Sequence, residues 1–75
     1  MFTNRALDDI DYFIEQTISK IENTKNIIEN FRTMENISGE SREIHIKYET
    51  ERVEEYELTI KMLDSIRSCL IDDEI

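Results

Sequence analysis

The sequence predicts an all-α protein, an antiparallel two-helix hairpin, and three observations carry that expectation. Apolar residues recur at heptad spacing through both halves of the chain; no proline interrupts either half; and the single glycine, Gly39, lies close to the midpoint of 75 residues. Glycine tolerates positive φ and favours the position just past a helix C-terminus. Inside the polar stretch Asn36-Ile37-Ser38-Gly39-Glu40-Ser41 it therefore reads as the corner of the hairpin. The whole chain, residues 1–75, is read as one hairpin domain with helix 1 over about 4–36, a turn over about 36–41 and helix 2 over about 41–71.

In the first half Leu7, Ile14, Ile21 and Ile28 recur every seven residues, and Ile10, Thr17, Thr24 and Phe31 follow each by three. This is an a/d pattern sustained over four heptads. Phe13, Ile18, Ile27 and Met34 flank the seam and widen it, which suits a bundle better than an isolated two-stranded coil. Thr3 or Asn4 can cap the start, and Asp8, Asp9 and Asp11 suit the positive end of the helix dipole. Thr17 and Thr24, mid-seam, are expected to return their hydroxyls to their own helix carbonyls; a loose centre filled by another protein is the competing reading.

The second half repeats the logic. Ile46, Val53 and Ile60 share one heptad position, Tyr56, Leu63 and Leu70 its partner, and Ile66 substitutes where Arg67 interrupts. Ser38 or Ser41 can cap this helix, and Glu43–Lys47 and Glu57–Lys61 have the favourable i,i+4 orientation. One segment competes: Glu43-Ile44-His45-Ile46-Lys47-Tyr48-Glu49-Thr50 alternates apolar and polar residues, a strand signature. A strand here needs pairing with a second chain, an α-β-α dimer. The long helical pattern after Val53 and the missing hairpin turn favour helix.

A domain of 75 residues buries only about 60% of the surface its unfolded chain exposes. Two helices packed side by side cannot cover faces this wide. The expectation is a four-helix bundle, completed by a second copy or by helices of another protein. Disulfides cannot substitute, because Cys69 is alone, which also suits a reducing, cytoplasmic compartment. The first residues reach Asp8 and Asp9 before any apolar run, so no signal peptide is expected, and no stretch approaches a membrane span.

The chemistry-bearing residues point away from catalysis. One His, one Cys and no CxxC or HxxxH spacing leave no structural zinc site. A two-metal carboxylate centre needs Glu-x-x-His, and Arg42 occupies the position three before His45. His45 with Glu49 reads as a surface pair, and Cys69 beside Leu70 and Ile71 as a partly buried, inert thiol. With no nucleophile–base pair and no Gly-rich phosphate loop, the reading is a non-enzyme without cofactor.

Charge supplies the remaining signals. Eighteen acidic against nine basic residues, formally −9, repel phosphate backbones and anionic membranes, so neither direct nucleic-acid binding nor membrane binding is expected. RNA binding by a hairpin dimer needs a basic stripe, whereas Arg5, Lys20, Lys25, Arg32, Arg42, Lys47, Arg52, Lys61 and Arg67 are scattered. Asp8, Glu15, Glu22 and Glu29 form a carboxylate row, one every ~10.5 Å of helix. The row reads as the solvated face of an amphipathic helix, or else as an imitation of a phosphate backbone. Tyr48, Glu49, Glu51, Glu54, Glu55 and Glu57 make a denser cluster and the best candidate docking surface, since part-exposed tyrosines often anchor interfaces. The function expected is a small acidic protein–protein interaction module: an adaptor, small chaperone or inhibitor, partnered as a homodimer or hetero-oligomer. The alternative is a nucleic-acid mimic, such as a phage encodes, that occupies the basic cleft of a DNA- or RNA-binding enzyme.

Overall fold

The computed structural model describes residues 4–73. Two helices, α1 (Asn4–Thr33) and α2 (Gly39–Asp73), pack against each other as a hairpin, and no strand occurs among the described residues. The hairpin is a flat rod of 56 × 15 × 10 Å. Its radius of gyration, 17.2 Å, far exceeds the ~11 Å of a compact chain of this length.

Heptad geometry explains which residues meet. In α2 the residues withdrawn from solvent are Arg42, Ile46, Glu49, Val53, Tyr56, Ile60, Leu63, Arg67 and Leu70, spaced three and four apart without exception. In α1 they are Leu7, Ile10, Ile14, Thr17, Ile21, Thr24, Ile28 and Phe31, joined by Ala6 and Asp11. Apart from Ala6 and Asp11 these are a and d positions, the contact line of a two-stranded coil. The seam is narrow, and among the described residues only Ile28, Val53, Thr17 and Thr24 are buried. The hydroxyls of Thr17 and Thr24 donate to the carbonyl oxygens of Phe13 and Lys20, each at 2.8 Å, so the two polar seam positions are satisfied within α1.

The corner differs from the sequence expectation. Gly39 has no positive φ and is the first residue of α2, not a residue closing α1. Ser38 caps α2: its side-chain Oγ accepts from the Ser41 amide at 3.2 Å and its carbonyl from the Arg42 amide at 3.0 Å. α1 stops at Thr33, three residues earlier than expected, and α2 begins earlier and ends later than 41–71. Serine wins the boundary because a cap satisfies amides that a glycine in the first turn leaves open. The Arg42 guanidinium then closes the corner by donating to the Met34 carbonyl just beyond α1.

Other expectations change as well. With α1 starting at Asn4, Asp8, Asp9 and Asp11 fall beyond its first turn, where the dipole has largely faded. The cap expected from Thr3 or Asn4 lies outside the described residues and side chains. Glu43–Thr50 is helical throughout. Its alternation arises because residues two apart on a helix lie about 200° apart: Ile46 enters the seam while Ile44 and Tyr48 point to the opposite side, both well exposed. Two apolar stripes on one helix imitate the period of a strand.

Candidate protein-binding surface

Outside the seam, the e and b rows of both helices share one broad face of the hairpin. An open groove on this face is lined by Lys25, Glu29 and Arg32 of α1 and Thr50 of α2, over Ile28 and Val53. The g and c rows share the other face, where α1 and α2 meet through Lys20 with Tyr56 and Phe31 with His45. The two faces differ in chemistry. Along the e and b rows stand ten carboxylates (Asp8, Asp11, Glu15, Glu22 and Glu29 of α1; Glu40, Glu43, Glu54, Glu57 and Asp64 of α2) against four cations, Lys25, Arg32, Lys47 and Lys61. Among the described side chains, the g and c rows hold two of each sign, Asp9 and Glu55 with Lys20 and Arg52.

The near-neutral face is also the apolar one. From α1 it presents Phe13 and Ile27, with Met34 just past the helix end; from α2 it presents Tyr48, Met62, Ile66 and Cys69. Phe13 is 56% exposed and Met62 66% exposed, so neither belongs to the hairpin's own core. Ile44 and Leu58 extend the stripe around the outer edge of α2, and Tyr12 meets Phe13 edge-on, ring centroids 5.9 Å apart. Against this, among the described residues only Ile18 and Ile71 are exposed large apolar residues on the charged face.

A cation–aromatic cluster occupies the middle of the near-neutral face. Lys20 Nζ lies 6.0 Å from the Tyr56 ring centroid, and Arg52 Cζ lies 5.8 Å from that of Tyr48. Arg52 Nη2 also donates to the Tyr56 hydroxyl at 3.2 Å, and this bond, with the neighbouring phenols, holds the guanidinium above its ordinary pKa. Both cations thus lie against rings, a contact that keeps their charge while covering apolar surface. Towards the corner, Phe31 and His45 stack in parallel at 4.8 Å with 1° between their planes.

The structure separates the candidate docking residues. Tyr48 and Glu55 stand in the c row of the near-neutral face, and Glu51 lies beside them on the outer edge of α2. Glu54 and Glu57 belong to the charged face, with the Asp8–Glu15–Glu22–Glu29 row. Glu49 is a half-buried seam residue. Adjacency in sequence grouped residues that helical geometry spreads around most of the circumference.

Several pairings differ from expectation. His45 gives its ring to Phe31, not to Glu49. Glu43–Lys47 and Glu57–Lys61 form no ion pair; the pairs among the described residues are Arg32–Glu29 at 3.3 Å and Arg67–Asp11 at 2.8 Å. Arg67 does not leave the seam to Ile66: Ile66 is 49% exposed, while Arg67 holds the a position and reaches across to α1. Phe13, Ile18, Ile27 and Met34 flank the seam and are all exposed, apolar surface that two helices leave uncovered. Cys69 is exposed as well. The apolar stripe Ile44–Tyr48–Leu58–Met62–Ile66 escaped a reading confined to a and d positions, although its four-residue steps on either side of a ten-residue gap signal it.

Among the described residues no three His, Cys, Asp or Glu side chains converge to hold a metal ion. Nor, among the described residues, is any helix long and apolar enough to cross a membrane. The sequence matches no protein-family model, and neither a curated protein nor a solved structure is significantly similar to it.

Proposed function

We propose that this protein is a protein–protein interaction module that acts by binding and not by catalysis, in the manner of an adaptor, small chaperone or inhibitor. The hairpin contributes two helices to a four-helix bundle whose other pair comes from a partner protein or another copy. The observation that carries this reading is the exposed, nearly neutral apolar face made jointly by α1 and α2 in an otherwise acidic chain. Contiguous exposed apolar surface of this kind marks interaction sites. Tyr48, with Glu51 and Glu55 beside it, places an aromatic anchor within a polar rim, the usual anatomy of an interface.

Helicity and thermal unfolding, followed by circular dichroism over a hundredfold range of protein concentration, test the proposal. A partner-dependent hairpin melts at a temperature that rises with concentration, or stays poorly helical until its partner is added. A hairpin that is fully helical and melts at the same temperature at every concentration overturns it.

A nucleic-acid mimic is the second reading. It draws support from the charged face, where the carboxylate row of α1 shares one surface with Glu54 and Glu57 of α2. Lys25, Arg32, Lys47 and Lys61 dilute that surface, and Glu49, Glu51 and Glu55 do not join it. Binding to a basic nucleic-acid-binding enzyme that collapses with added salt and is competed by its DNA or RNA is the signature of this reading.

A further inference from the structure

We propose that a second copy of this chain covers the near-neutral face. The two hairpins stack about a two-fold axis running along their length, so that Lys20 of each copy faces Glu55 of the other. The inference rests on the reading above that the hairpin is half of a bundle, and it names the partner.

Surface area is the first argument. The hairpin exposes 5997 Å². A compact monomer of 9.0 kDa exposes about 4,900 Å². The excess of about 1,100 Å² is comparable to the ~800 Å² that each partner buries in a standard interface. A second copy therefore removes about as much surface as this chain carries beyond a compact one.

Charge selects the face and the partner. Two chains that each carry −9 repel, and the e and b rows concentrate that repulsion. The g and c rows, whose described side chains balance in charge, are where two identical acidic chains can approach. An isologous interface must also be self-complementary.

Register selects the axis. Lys20 sits level with Tyr56, and hence beside Glu55, as its 6.0 Å approach to the Tyr56 ring shows. An axis along the hairpin lays α1 of one copy over α2 of the other. Lys20 then opposes Glu55 twice, and at the open end Phe13 of each copy meets Met62 and Ile66 of the other. An axis across the hairpin lays α1 over α1 instead. Because Lys20 lies near the middle of α1, that arrangement sets lysine against lysine.

The full-length chain tests this by sedimentation equilibrium, with helicity recorded alongside. The expected mass is twice the 9.0 kDa of one chain. Met62→Glu and Phe13→Glu, both exposed in the hairpin, are expected to weaken self-association at least tenfold, while Ile18→Glu on the charged face leaves it unchanged. Lys20→Glu and Glu55→Lys are each expected to be monomeric alone and to form a one-to-one dimer when mixed, since only the mixture pairs opposite charges in both contacts. That rescue has no explanation within one chain. A mixture that stays monomeric, or an Ile18→Glu variant that dissociates like Met62→Glu, overturns the proposal. A wild-type monomer that is poorly helical overturns the second copy while leaving the need for another partner standing. A wild-type monomer that is fully helical at every concentration removes both.

Discussion

Arg67 donates from Nε to Oδ1 of Asp11 at 2.8 Å, and it does so from an a position of the seam. The pair ties the last turns of α2 to the start of α1, at the open end where no turn holds the helices together. Arginine suits the position because its stem packs in the seam while its head reaches the edge.

Both side chains remain partly exposed, at 40% and 47%, so the ion pair contributes at the level of a surface contact. Asp11→Asn is expected to cost less than about 1 kcal/mol in urea unfolding. Arg67→Leu, which restores an apolar a position, is expected to be neutral or stabilising. A loss above 2 kcal/mol for either on the order-of-magnitude scale of buried pairs would mean the pair is effectively buried in the assembly.

Gly39 stands in the first turn of α2 without positive φ, and a Cβ added there meets nothing within 4 Å. Gly39→Ala is therefore expected to stabilise by about 0.4–1 kcal/mol, through the lower entropy of the unfolded chain. Ser38→Ala is expected to cost about 1 kcal/mol, because it removes the cap on the Ser41 amide. Thermal unfolding of the two variants should move in opposite directions; a destabilised Gly39→Ala would return the glycine to a left-handed corner.

Thr17 and Thr24 are as buried as any residue in the hairpin, and their hydroxyls are bonded only to their own helix. Thr24→Val keeps the shape and leaves the Lys20 carbonyl with its helical partner, so stability should change by less than about 1 kcal/mol. Ile28→Ala removes buried volume from the same seam and should cost about 2 kcal/mol or more. Chemical denaturation ranks the two, and an equal loss would reveal a role for the hydroxyl that the intrahelical bond does not account for.

The Phe31–His45 stack packs α2 onto α1 near the corner at 4.8 Å. A double-mutant cycle with Phe31→Leu and His45→Ala should give a coupling of about 0.5 kcal/mol, the low end for aromatic pairs given the exposure of His45. Zero coupling would make the stack a bystander.

The seam was legible in the sequence because a and d spacing is a property of the helix itself: once Leu7 through Phe31 and Ile46 through Leu70 coil, their side chains fall on one line. The Glu43–Thr50 segment shows where such reading stops. Ile44, Ile46 and Tyr48 carry the same alternation in a strand or in a helix with two apolar sides, and only the packing of Ile46 against α1 separates the two. The docking cluster disperses for a related reason, since Glu49, Glu51 and Glu54 are neighbours in the chain but not around the helix.

By itself, then, the sequence determined that there are two helices, where the chain turns and most of the residues that line their contact, with Glu49 and Arg67 among the exceptions, because all three follow from local periodicity and from Ser38 and Gly39 standing alone between two long apolar repeats. Only the tertiary structure decided that Phe13, Ile27, Met62 and Ile66 lie outside that contact and on one face. Two helices in contact can bury only the strip between them. Which remaining residues stand side by side depends on the antiparallel register of α1 against α2, which neither helix encodes alone.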